Sequence, residues 1–179
     1  MIVIMAGGRS TRMRREKPVL EIAGKPMLLR VYEEVNKAGE VLVAVSPCTP
    51  RTKELCLRER IPFVETPGRG YVEDVKWLLR EFGLFISVSA DLPFVKASDI
   101  AGISEAFDGK TSLTGVLPLK LVPKDLKPVV YRGYAIVGLN AVGIEGEHFF
   151  ELSNPLLALN VNTPEELKLA ERIARLVGR

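Results

Sequence analysis

Three stretches of this sequence carry residues able to handle a polyphosphate. The first is Ala6-Gly7-Gly8-Arg9-Ser10-Thr11-Arg12, followed shortly by Lys17-Pro18, and it comes directly after the apolar run 1–5. Paired glycines after a buried strand let backbone N–H groups turn toward an anion and let a phosphate approach closely. Arg12 can grip two phosphate oxygens at once, and Lys17 adds a mobile point charge. Neither G-x-x-x-x-G-K-[ST] nor G-x-G-x-x-G is present, so a Walker loop and a dinucleotide fingerprint are excluded. A bare Gly-Gly would read equally well as a tight turn; the strand before it and the cations after it favour phosphate.

The second stretch is Ser89-Ala90-Asp91-Leu92-Pro93. A carboxylate at the carboxyl end of a central strand can hold a hard divalent cation such as magnesium, Mg2+, which would bridge triphosphate oxygens. Alone, Asp91 would read as a loop-start residue bonded to its own backbone. The third is Asn160-Val161-Asn162-Thr163-Pro164-Glu165-Glu166-Leu167. Thr163 and Glu166 are explained by helix capping. The two asparagines are not, and their amide oxygens could complete a metal shell, with Asn162 beside Asp91, or orient an acceptor.

These segments need elements to bring them together. The chain alternates short apolar runs with helical patterns: strands over 1–5, 41–45, 61–64, 84–89 and 156–161. Between them, Pro26 opens a helix closed by Gly39, and Thr49 with Pro50 starts one reaching about 59. A helix over about 71–82 should bury Val75, Leu78, Leu79 and Phe82; Ser98 should cap another, and the Thr163 capping box starts a last one ending near Val177. Apolar strands separated by helices predict one α/β domain over 1–179, with a mainly parallel, Rossmann-like sheet covered on both faces. The segment 113–142 departs from this alternation and predicts a β-rich excursion. Ligands of such sheets sit at the carboxyl strand ends, which here are the loops after Met5, Val45, Val64, Ser89 and Val161.

Composition narrows the function. The 179 residues are 47% hydrophobic, enough for a full core, and the net charge of +3 is only mildly basic. The basic cluster from Arg9 to Lys17 lacks the aromatic platform of a nucleic-acid binder, so no nucleic-acid partner is expected. Cys48 and Cys56 form no C-x-x-C pair and predict neither a disulfide framework nor a zinc site. One histidine, His148, leaves little room for histidine metal clusters or acid–base triads. No apolar run approaches the ~20 residues of a membrane span, so a soluble, cytoplasmic protein is expected. No sequence feature assigns an oligomeric state.

The run 6–18, the Asp91 turn and the Asn-x-Asn-Thr-Pro-Glu-Glu-Leu ending together resemble the nucleotidyltransferases related to the molybdenum-cofactor guanylyltransferases. Ser10 stands where that family usually has glycine. Four further segments are similar, in the same order, to the archaeal guanylyltransferases that act on adenosylcobinamide phosphate in coenzyme B12 assembly. They are Ser46-Pro47-Cys48-Thr49-Pro50-Arg51-Thr52-Lys53-Glu54, Gly68-Arg69-Gly70-Tyr71-Val72-Glu73-Asp74, Val137-Gly138-Leu139-Asn140 and the run from Asn162 to Glu171.

The resemblance implies a nucleotide-diphospho-sugar-transferase-like fold and transfer of GMP from GTP. It implies that Arg12 and Lys17 hold the triphosphate and that Asp91, with Asn162, holds magnesium. Gly138 and Asn140 are then placed near the reacting phosphates, on the acceptor side. Ser46, Pro47 and Thr49, with Gly68, Gly70 and Tyr71, should surround the base, their backbone groups reading guanine. Adenosylcobinamide phosphate is the implied acceptor; molybdopterin, a sugar phosphate and methylerythritol phosphate remain alternatives. A nucleotide-sensing module without turnover is the rival of another class, and intact Arg12, Lys17 and Asp91 argue against it.

Overall fold

The computed structural model describes residues 1–10, 13 and 15–177. Its strands are β1 (Ile2–Met5), β2 (Glu21–Ile22), β3 (Lys25–Pro26), β4 (Val41–Val45), β5 (Phe63–Glu65), β6 (Phe85–Ser89), β7 (Thr111–Pro118), β8 (Val130–Tyr131), β9 (Tyr134–Val142) and β10 (Glu145–Glu151). Its α-helices are α1 (Met27–Val35), α2 (Pro50–Arg58), α3 (Tyr71–Phe82), α4 (Ala97–Ala106) and α5 (Pro164–Val177).

The eight-stranded sheet runs β10-β7-β9-β6-β1-β4-β5, with β8 added to β9, while β2 and β3 form a separate hairpin. The registers make every strand of the large sheet parallel in direction except β9. Strand parity divides the core. Ile2 and Ile4 of β1 pack with α1, α2 and α4 residues such as Leu28, Leu55 and Ile100. Val3, between them, faces the other way with Leu78 of α3 and Phe85. Both faces of the sheet are therefore covered, as parallel strands require. Helix α5 closes a third cluster, Ala170 and Ala174 packing with Ile22, Met27 and Val161.

Along β9, Ala135, Val137, Leu139 and Ala141 are buried, while Ile136, Gly138, Asn140 and Val142 alternate toward the opposite face. That face is only partly covered by α3 and forms the floor of a groove. The parallel sheet predicted from the sequence is thus present, and the 113–142 excursion forms its antiparallel side.

Several local expectations are corrected. The run 156–161 is no strand: Pro155–Ala158 is a 3-10 turn capped by Asn154 Oδ1, which accepts from Leu156 N–H at 3.1 Å. Pro155 lacks a donor for a strand ladder, and Leu157, Ala158 and Leu159 are buried consecutively rather than alternately. Ser98 does not cap α4; the N-cap is Lys96, whose N–H donates to Asp99 Oδ2 at 2.9 Å. Phe82 is 42% exposed rather than buried. Strand β10, with its glutamates and His148, is a charged edge strand that its polarity hid. No helix of the described residues is long and apolar enough to cross a membrane.

Candidate active site

The loops after β1, β5 and β6 meet at the carboxyl edge of the sheet around a cleft of about 370 Å3. Ala6, Gly7, Gly8, Arg9, Ser10 and Lys17 line one wall; Gly68, Arg69, Gly70, Tyr71 and Asp74 line another, with Ser89 and Asp91 at the end of β6. Thr11 and Arg12 lie outside the described residues.

Each glycine in the loop has its own reason. A Cβ on Gly7 would lie 3.1 Å from Ser46 Cβ, because Ser46 Oγ donates to Gly7 O at 2.7 Å and draws the two loops together. Gly8 borders open space, so its missing side chain leaves the cleft floor clear. Ser10 stands at φ +46°, in the region glycine enters without steric cost. Its hydroxyl accepts from Lys17 N–H at 3.2 Å, which fixes the lysine's backbone.

Lys17 is the centre of the arrangement. Its Nζ donates to Asp91 Oδ2 at 2.5 Å and to Asn162 Oδ1 at 2.8 Å. Three residues far apart in the chain thus converge on one charged point. Asp91 Oδ1 also accepts from Ser89 Oγ at 2.7 Å. Glu166 Oε2 accepts from Asn162 N–H at 2.7 Å and Thr163 N–H at 2.9 Å, while Thr163 Oγ1 accepts from Glu166 N–H at 3.2 Å. The predicted capping box is formed, and it also fixes the Asn162 backbone.

Glu16, a residue that reads as solvated among arginines, anchors the loop from behind. Its carboxylate accepts from Arg51 N–H at 3.0 Å, from Thr52 N–H at 2.8 Å and from Thr52 Oγ at 2.7 Å. It therefore caps α2 in place of Thr49, whose side chain is buried and instead accepts from Ser46 N–H at 3.0 Å and donates to Ser46 O at 3.1 Å. An anion at a helix N-terminus satisfies free N–H groups and meets the positive end of the helix dipole. Ser46, Pro47 and Thr49 are absent from the cleft lining; Ser46 and Thr49 are buried behind Gly7, where Ser46 supports the Gly7–Gly8 loop.

A groove of about 460 Å3 adjoins the cleft, and Tyr71 and Ser89 line both. Gly138 and Asn140 lie on its β9 floor, beside Val75, Leu113, Val129 and Ile136. Tyr71 OH lies 3.3 Å from Ser87 Oγ and accepts from Asn140 Nδ2 at 3.4 Å. Gly138 has a structural reason distinct from ligand approach: a Cβ there would stand 2.5 Å from Ser89 Cβ. Asn160 Oδ1, also at the groove, is buried without a hydrogen-bond partner among the described residues. The cations of the 113–142 excursion, Lys120, Lys124, Lys127 and Arg132, do not line the groove; Arg132 sits over the Tyr131 ring at 5.2 Å.

The donor set suits a hard divalent cation. One carboxylate oxygen and one amide oxygen already converge on a positive charge, the Lys17 ammonium, and magnesium commonly takes few protein ligands plus substrate phosphates. No cluster of three or more His, Cys, Asp or Glu able to hold a metal occurs among the described residues, so phosphates would complete the shell. Burial pushes the Cys56 thiol up to about 11, and a hydrogen bond to Glu151 raises the Tyr134 hydroxyl. A hydrogen bond from Lys76 lowers Glu73, and backbone N–H bonds from Thr111 and Lys110 lower Asp108.

The chain is similar to several known nucleotidyltransferases. The model of the MobA-like NTP transferase domain matches residues 2–137. The adenosylcobinamide-phosphate guanylyltransferase of Methanocaldococcus jannaschii is 31% identical, over 98% of this chain and 98% of its own. A probable molybdenum cofactor guanylyltransferase of Aquifex aeolicus is 28% identical, over 92% of this chain and 87% of its own. The crystal structure of molybdopterin-guanine dinucleotide biosynthesis protein A from Archaeoglobus fulgidus has a TM-score of 0.72 at 17% identity, covering 98% of this chain and 99% of that one. That last likeness is one of fold.

Proposed function

Because this chain belongs to the MobA-like NTP transferase domains and is a nucleotidyltransferase, we propose that it transfers GMP from GTP to adenosylcobinamide phosphate, forming adenosylcobinamide-GDP and pyrophosphate. The observation that carries the reading is the junction of cleft and groove at Ser89, whose hydroxyl also bonds Asp91. A nucleotide in the cleft and an acceptor in the groove would meet at the Lys17–Asp91–Asn162 point. The full-length similarity to an adenosylcobinamide-phosphate guanylyltransferase supports the corrinoid as acceptor.

An oxygen of the acceptor phosphate attacks the α-phosphorus of GTP in line. The bond from that phosphorus to the β-phosphate bridging oxygen breaks, and pyrophosphate leaves with the electron pair. The acceptor phosphate is already ionised at neutral pH, so no general base is needed. Rate enhancement comes from positioning and charge stabilisation. The N–H groups of the Gly7–Gly8 turn cradle the phosphates. Two of the three Lys17 ammonium donors go to Asp91 and Asn162, leaving one for a phosphate oxygen. Arg12 grips the triphosphate from the same loop. Magnesium, held by Asp91 and Asn162, would offset charge on the reacting phosphorus. Gly138 and Asn140 shape the acceptor side.

The test is pyrophosphate release from GTP, ATP, CTP or UTP, each paired with adenosylcobinamide phosphate or molybdopterin. Release with GTP and the corrinoid is expected. Transfer to molybdopterin but not to the corrinoid would overturn the acceptor and keep guanylyl transfer. No release with any pair would leave a nucleotide-binding module without turnover.

A further inference from the structure

One carboxylate in the cleft has no place in triphosphate binding. Asp74, in the first turn of α3, lines the cleft and is 5% exposed. It has no ion-pair partner among the described residues. One hydrogen bond is made to it from outside its helix: Gly68 N–H donates to Asp74 Oδ1 at 3.0 Å. Its other oxygen has no partner among the described residues and is not sealed from the cleft.

Arg9, Lys17 and the N–H groups of the Gly7–Gly8 turn line the side of the cleft that would receive phosphates, whereas Asp74 lines it with Gly68, Arg69, Gly70 and Tyr71, among which it alone offers a carboxylate. A nearly buried carboxylate repels phosphate and strongly favours a ligand edge made of donors. Among the common bases, guanine presents such an edge, N1–H beside the 2-amino group. Adenine and cytosine pair one amino donor with a ring acceptor, and uracil sets a single N–H between two carbonyls. A carboxylate accepts without donating, and the Gly68 bond leaves lone pairs on both Asp74 oxygens.

We propose that Asp74 is the residue that selects guanine, accepting from N1–H and the 2-amino group, with Gly68 N–H fixing its carboxylate for the purpose. This rests on GTP being the donor. It replaces recognition by the 46–49 backbone, since Ser46, Pro47 and Thr49 do not line the cleft.

Asp74→Asn gives the test, because its amide oxygen still accepts from Gly68 N–H while its NH2 group turns a donor toward the base. Xanthosine triphosphate, with a carbonyl in place of the 2-amino group, is the matching ligand. Calorimetric titration of the full chain should find GTP bound about 100-fold more tightly than xanthosine triphosphate by the wild type, with the order reversed in Asp74→Asn. An unchanged ratio in the variant would overturn the assignment. Inosine triphosphate, lacking only the 2-amino group, tests it without any substitution: about tenfold weaker binding than GTP is expected, and equal binding would overturn it. Wild-type protein that binds ATP as tightly as GTP would instead refute the donor reading, before any variant is compared.

Discussion

Gly138→Ala places the smallest side chain where the structure leaves no room. The new Cβ would stand 2.5 Å from Ser89 Cβ, 3.3 Å from Ser89 Oγ and 3.5 Å from Leu92 Cδ1. Carbon atoms settle at about 3.5–4.0 Å, so β9 and β6 must part by about 1 Å or distort locally. Overpacking of this kind costs about 1–3 kcal/mol, which in a chain of this size lowers Tm by about 2–12 °C. The displacement does not stop at Ser89, whose hydroxyl bonds Asp91 Oδ1 at 2.7 Å. Moving a reacting group by about 1 Å costs on the order of 100-fold in rate. Calorimetry and steady-state pyrophosphate release on the same preparation should therefore show both losses. Gly138→Ala combined with Ser89→Gly removes the clash together with the hydroxyl, so Tm should recover while turnover stays low. Wild-type Tm and turnover in the single variant would refute the steric reasoning. So would a double variant no more stable than the single one.

Asp91→Ala should fold, because the residue is at a strand end, yet lose most magnesium-dependent turnover; near-normal turnover would remove Asp91 from the metal site. Glu16→Ala leaves the Arg51 and Thr52 N–H groups of α2 without their cap, so a stability loss of about 1–2 kcal/mol by urea unfolding is expected, with reduced turnover from a loosened Lys17. Unchanged stability would show that the cap is dispensable. Exposed Cys48 should react with a thiol reagent in the native protein, whereas Cys56, held protonated to about 11, should react only on unfolding. The Cys56 thiol binds its proton more tightly folded than unfolded, so its contribution to stability is complete below its ordinary value near 9.0 and is lost as pH rises toward 11.

Much of the site is legible in the sequence because parallel sheets gather strand ends on one edge. That rule brings Gly7, Gly8, Lys17 and Asp91 to one cleft although Asp91 lies 74 residues beyond Lys17. Asn162 joins them, but not from a strand: the apolar run before it matches a buried strand in composition, and Pro155 with its consecutively buried neighbours makes a 3-10 turn instead. Glu16 and Asp74 escape notice for a shared reason. A glutamate among arginines looks solvated, and an aspartate in a first helical turn looks like a complement to the dipole. Only tertiary contact shows Glu16 capping a helix from 35 residues away and Asp74 facing a cleft. Gly138 is legible as special, but its reason, the Ser89 side chain on a neighbouring strand, depends on register that periodicity does not supply.

The most direct test incubates the full chain with magnesium, adenosylcobinamide phosphate and GTP labelled at the α-phosphate, then separates the corrinoid and counts label against pyrophosphate. The label should enter the corrinoid in one-to-one proportion with pyrophosphate, and both should vanish together in Lys17→Ala and Asp91→Ala. Pyrophosphate formed without label in the corrinoid, or undiminished transfer by those variants, would contradict guanylyl transfer at this site.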